Sequence, residues 1–199
     1  MISALITGLL LLTIVFLLLA GKLRSRVYGF SDRNIYDAIP FLQQVDYDQL
    51  EALVDFASEQ CLRANLGEEK FKNAQQKRMR LLLELVRRMD ENARVLLELG
   101  KADRERGWKY NQPEWKTLGE ELVTASLGFR AGAVAIKFAL HRWLIRSVVF
   151  PFGRVPAISS LRKFDGFDLF ESYQRMVNAA LDLGEAYGND VHKKLVVAL

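Results

Sequence analysis

The stretch PEWKTLGEELVTASLGFRAGAVAIKFALHRWLIRSVVF, Pro113 to Phe150, decides the fold. It reads as one long helix, and the question is whether that helix crosses a membrane or lies inside a helical bundle. After Glu121 no Asp or Glu occurs until Asp165, whereas Arg130, Lys137, Arg142, Arg146, Arg154, Arg162 and Lys163 lie between them, with His141. The strongly apolar side chains favour insertion by roughly 4–8 kcal/mol, but each mid-helix Arg or Lys costs about 2.5–3.5 kcal/mol near the bilayer centre. Arg130, Lys137, Arg142 and Arg146 together outweigh the gain, so a simple crossing is disfavoured.

At about 100° per residue, Arg130, Lys137 and His141 fall in one narrow stripe. Phe129, Ala133, Ile136, Leu140 and Trp143 fall broadly opposite. Two readings follow. In the first, residues 122–164 form a cationic, acid-free amphipathic stretch that lies in a membrane interface or against an acidic partner. Its contact residues are then Arg130, Lys137, His141, Arg142, Trp143, Arg146 and Arg154, and each cation adds about 1 kcal/mol near an anionic leaflet. In the second, the helix is a core element whose basic stripe faces water, and Gly128, Ala131, Gly132, Ala135 and Ala139 admit close neighbours. Pro113 suits the first helical position, with Gln112 or Asn111 as its cap.

N-terminal to this helix, the spacing of Met79, Leu82, Leu83, Val86, Met89, Ala93, Leu96 and Leu97 predicts a long helix from about Glu68 to Leu99, ended by Gly100. Its first half, EEKFKNAQQKRMR, reads as mostly solvated. GKADRERGWKYNQ, residues 100–112, then reads as a polar loop, with Trp108, Tyr110 and Trp115 stapling the helices around it. An earlier helix is predicted from Asp48, with Asp48 and Glu51 as a capping pair. Leu50, Leu53, Val54, Ala57, Cys61 and Ala64 form its buried face, and Gly67 stops it. C-terminal to the decisive stretch, Pro151, Gly153 and Pro156 break the helix. Asp168 caps a last long helix with the stripe Phe170, Tyr173, Val177, Ala180, Leu181, Gly184 and Tyr187. After a turn at Gly188 and Asn189, Val191 to Leu199 reads as a short helix.

The chain begins MISALITGLLLLTIVFLLLA, with no charged side chain, followed by GKLRSR with three cations. Ile2 to Leu19 reaches about 27 Å at ~1.5 Å per residue, close to the ~30 Å hydrocarbon thickness. Thirteen of those residues are Leu, Ile, Val or Phe. Nothing basic precedes the run, it is long for a signal core, and Leu18 stands where a cleavage site wants a small residue. The expectation is an uncleaved transmembrane anchor over residues 1–21. The juxtamembrane cations Lys22, Arg24 and Arg26 place the N-terminus outside and the rest in the cytoplasm, the inner membrane being the site in a bacterium. Residues 22–45 are expected as a connection, with Ser31 as an N-cap and Pro40 limiting a short turn. Residues 46–199 are expected as a cytoplasmic helical domain.

Among 199 residues the formal net charge is +4 and there is one cysteine. The charge suits an anionic surface but falls short of a dedicated nucleic-acid binder. One cysteine excludes an internal disulfide. The chain has no phosphate loop, dinucleotide fingerprint or nucleophile elbow. GFRAG, Gly128 to Gly132, lies inside a helical pattern. One Cys and the distant His141 and His192 make no zinc set, and neither His follows an acid at the spacing of a di-iron bundle. No catalytic residue, metal or cofactor is assigned.

The fold expected is all-α: a single N-terminal transmembrane helix followed by a bundle of about four main helices. The function class expected is a membrane-anchored, non-enzymatic interaction or scaffold protein, possibly a subunit of a membrane complex. Its expected partners are membrane lipid and a protein partner or homo-oligomer. The alternative is a membrane-bound enzyme or enzyme subunit acting on a lipid or lipid-linked anionic substrate, which would need a pocket gathering Arg130, Lys137 and His141.

Overall fold

The computed structural model describes residues 34–149, 157–164 and 166–199. The expected anchor, Ser31, Lys22, Arg24, Arg26 and Arg154 lie outside the described residues. Among the described residues the protein is all-α apart from one antiparallel pair of two-residue strands, Lys163–Phe164 and Phe167–Asp168, with seven α-helices in order. They are α1 (Ile35–Ala38), α2 (Tyr47–Val54), α3 (Phe56–Asn65), α4 (Glu68–Lys109), α5 (Pro113–Val149), α6 (Leu169–Tyr187) and α7 (Asn189–Ala198). Single 3-10 turns occupy Ile39–Phe41 and Ile158–Leu161.

Helices α4 and α5 form an antiparallel pair. A Cβ on Gly107 would meet the Lys116 backbone nitrogen at 2.5 Å, and one on Gly100 would meet the Gly119 carbonyl oxygen at 3.0 Å. Further along, Asp90 meets Arg130, and the Gln76 amide donates to the Ser147 hydroxyl at 3.1 Å. The partners step in opposite directions along the two helices. Helix α4 therefore does not stop at Gly100: it continues to Lys109, and residues 100–109 are helical rather than a loop. Glycine weakens a helix interior by about 1 kcal/mol. Here that weakness is offset because the missing side chains let two backbones approach.

Helix α6 runs alongside α4 in the same direction. The Asn92 amide donates to the Tyr173 hydroxyl at 2.8 Å, and the Tyr187 hydroxyl donates to Asp103 at 2.6 Å. Phe129 of α5 packs on Tyr173 with ring centroids 5.2 Å apart, so the three long helices enclose one core. Met79, Leu82, Val86, Met89, Ala93 and Leu96 of α4 line it with Leu122, Ala133, Ile136 and Leu140 of α5 and Met176, Ala180 and Leu183 of α6. The Asp168 carboxylate accepts from the Phe170 and Glu171 amides, the cap expected for α6. Gly188 adopts φ +119°, a left-handed conformation that glycine takes without a Cβ clash, and turns the chain into α7.

The stretch before α2 contributes as well. Ile35, Ala38 and Val45 are buried, and Asn92 clamps Gln43 by accepting from its amide and donating to its carbonyl, each at 2.7 Å. Asn34 and Asp37 form a reciprocal cap on α1.

Three local expectations are corrected. Asp46, not Asp48, caps α2, accepting from the Gln49 amide at 2.9 Å. The predicted continuous helix breaks at Asp55, whose extended backbone (ψ 125°) and side-chain bond to the Ser58 amide start α3. That restart turns the stripe, so Ala57, Cys61 and Ala64 are exposed and Glu59 is buried instead. The first part of α4 is also less solvated than its composition suggests, since Phe71, Gln75, Arg78 and Met79 are buried. Arg78 reaches the Leu53 carbonyl at 2.7 Å.

Candidate functional site

The basic stripe of α5 does not present itself as one surface. Asp90 of α4, 18% exposed, takes Arg130 at 3.2 Å and Lys137 at 2.5 Å. One carboxylate thus holds two cations and turns both toward α4. His141 is exposed, and its Nδ1 lies 2.7 Å from the Lys137 carbonyl oxygen, a contact in which the ring nitrogen donates. Trp143 is half-buried against the core, whereas Arg142 and Arg146 are exposed. Arg130 and Lys137 are brought together, but by an acid that consumes their charge rather than around a cleft.

The opposite property marks the outer face of α5. Leu127, Val134, Phe138 and Ile145 are 51%, 58%, 70% and 64% exposed. With Ala131 and His141 between them, they recur in alternating steps of four and three, the spacing of a helix-pairing seam. Gly128 and Ala135 flank the seam and are exposed, and no atom lies within 4 Å of a Cβ built on Gly128. Glu120 and Glu121 stand exposed at one end of this face, Arg142 and Arg146 at the other. Among the described residues none of those four charges is held in an ion pair. By length and composition Pro113–Ser147 would suffice to cross a membrane, yet 44% of its most apolar window is buried within the protein. The helix therefore has an inner face that completes the core and an outer face that is apolar and uncovered.

The spacing of this outer stripe was present in the sequence. The cationic stripe was the more conspicuous feature, and only the position of Asp90, forty residues before Arg130, shows which of the two is already occupied.

Other polar clusters are structural. Glu59 accepts from the Ile158 and Ser159 amides at 3.2 and 3.0 Å and from the Gln75 amide group, pinning the 3-10 turn onto α3 and α4. A cleft of about 310 Å³ beside it is lined by Phe56, Glu59, Arg63 and Ala157, but the carboxylate is committed to those donors. At the α4–α5 turn, Asp103 is buried and accepts from Tyr187 and, at 2.8 Å, from Arg106, while Trp115 packs edge-on to Tyr187 at 4.5 Å. Burial pushes the Asp103 carboxyl above the usual carboxylate range, against the lowering effect of Tyr187 and Arg106. Of the aromatics expected to staple this turn, Trp115 does so, whereas Trp108 and Tyr110 are exposed and Trp108 carries Lys116 over its ring at 4.1 Å. Among the described residues no group of three or more His, Cys, Asp or Glu is disposed to hold a metal.

Comparison with protein-family models, with curated proteins and with solved structures found no match to this chain.

Proposed function

We propose that this protein is a membrane-anchored helical interaction protein whose docking surface is the outer face of α5. The observation that carries the reading is the exposure of Leu127, Val134, Phe138 and Ile145 in one seam on a helix whose other face is the core. An apolar patch of this kind, aligned along one helix face, marks a contact site for protein or membrane. The 20-residue uncharged run at the N-terminus supports attachment to a bilayer, and the cations after it support a cytoplasmic body.

This role differs from contact through the basic stripe. Arg130 and Lys137 are engaged by Asp90, so the recognition element is apolar, with Arg142 and Arg146 at its border. Two measurements test the reading. A reporter fused after Leu199 is expected to be active in the cytoplasm, and the full chain is expected to resist alkaline extraction from membranes. A photoreactive residue in place of Phe138 is expected to give a protein adduct in native membranes, while the same probe in place of the exposed Arg175 on α6 gives none. Absence of any protein adduct at position 138 overturns the docking surface.

A further inference from the structure

We propose that the occupant of this face is a second copy of the same chain, paired antiparallel through α5. The inference rests on the outer face of α5 being a docking surface, and it adds the partner.

A two-fold interface brings the same patch of both copies together, so the patch must be complementary to itself. The face of α5 has that property in one orientation. Its acids, Glu120 and Glu121, are at one end and its bases, Arg142 and Arg146, at the other, all exposed. Parallel copies would set acid against acid and base against base. Antiparallel copies set each acidic end against a basic end.

The helix period also agrees with such an axis. Ala133 is fully buried, so at its level the opposite side of α5 points outward. A two-fold axis through that outward side, between Ala131 and Ala135, sets Ala131 of one copy against Ala135 of the other. It also sets Gly128 against Phe138 and Glu120 against Arg146. At ~3.6 residues per turn, each of these residues lies on the exposed side. Small residues at the axis let the helices approach closely. The large exposed Phe138 then faces the open space over Gly128. A lipid surface would explain the apolar seam but not two acids on the same face as two bases. With the axis along the membrane normal, both N-terminal anchors return to one bilayer, and confinement there raises the effective concentration of the pair.

The test uses the full-length chain in mild detergent, with Cys61→Ser removing the native thiol. Mixing Glu120→Cys and Arg146→Cys copies is expected to give a disulfide-linked dimer, whereas each copy alone gives none, because like positions lie about 39 Å apart along an antiparallel pair. Glu120→Arg with Glu121→Arg, and separately Arg142→Glu with Arg146→Glu, are each expected to weaken dimerisation about tenfold or more. An equimolar mixture of the two charge-reversed chains is expected to restore it. Unchanged helical circular dichroism confirms that each variant is folded. A monomeric mass for the wild-type chain, or cross-linking of Glu120→Cys with itself, overturns the proposal. The photoreactive probe at position 138 separates the two readings. A heterologous protein adduct with a monomeric wild-type chain overturns the self-pairing and leaves the docking surface standing. Lipid adducts alone, or none, overturn both.

Discussion

Asp103 shows how a single buried carboxyl is held in this fold. One oxygen accepts from Tyr187 and Arg106, and Oδ2 is buried with no hydrogen-bond partner. Burial raises its folded-state pKa above the unfolded value, so the fold holds the proton more tightly than the unfolded chain. The stabilising proton is fully present below the unfolded pKa, and its contribution is lost as pH rises through the folded one. Chemical denaturation of Asp103→Asn is therefore expected to fall less with rising pH than that of wild type across this window. The two curves run parallel above it. A constant difference at all pH values would contradict the assignment. Both oxygens of Glu59, by comparison, are engaged by backbone amides from a turn about a hundred residues away. Glu59→Ala leaves those buried amides unpaired, and urea titration is expected to show a loss of about 2–3 kcal/mol. The Asp55 carboxyl, by contrast, is held below its usual range by its hydrogen bonds to Ser58. Its contribution is present above the unfolded pKa and is lost as pH falls through the folded one. The Asp103–Tyr187 pairing and the hold of Glu59 on the Ile158 and Ser159 amides are not legible in sequence, because helix packing brings the partners together, whereas Asp55–Ser58 and Asp103–Arg106 are local contacts three residues apart.

At the level of elements, the α4–α5 hairpin depends on glycines that sequence rules treat as stops. A Cβ on Gly119 would lie 2.6 Å from the Arg104 nitrogen and 2.7 Å from the Gly100 carbonyl oxygen. Neither is the end of a flexible side chain, so the helices must separate. Gly119→Ala gains about 1 kcal/mol of helix propensity. Overpacking against backbone costs about 1–3 kcal/mol or more, so a net fall in thermal stability is expected. A rise in Tm would show that the crossing is loose. The cap at Asp168 makes the complementary case. It was readable because Asp precedes an apolar-periodic run, and Asp168→Ala is expected to cost about 1 kcal/mol by denaturant titration. The break at Asp55 was not readable in the same way. Its helical neighbours on both sides continue the apolar period, and only the docking of Glu59 on the Ile158 turn shows why the chain restarts there.

Across the whole molecule, the bundle and the expected anchor are separable in kind. The described residues hold a core of their own, drawn from every described α-helix except α3. Full-length protein and a chain lacking residues 1–21 are expected to show the same helical signal per residue, with only the former resisting alkaline extraction. If the shortened chain also resists extraction, the outer face of α5 itself inserts in lipid.

The all-α class, the long helices beginning at Glu68 and Pro113, the Asp168 cap and the final short helix follow from local rules: apolar period, caps and the position of proline. Such rules act within a few residues, and the sequence by itself determined those features. The continuation of α4 through Gly100, the break at Asp55, the exposure of Cys61 and the capture of Arg130 and Lys137 by Asp90 were decided only by tertiary structure. Each depends on a contact between residues far apart in the chain. The same distinction applies to the surface of α5. Its apolar residues on both sides were visible as letters, but which side is core and which is left uncovered depends on where α4 and α6 pack.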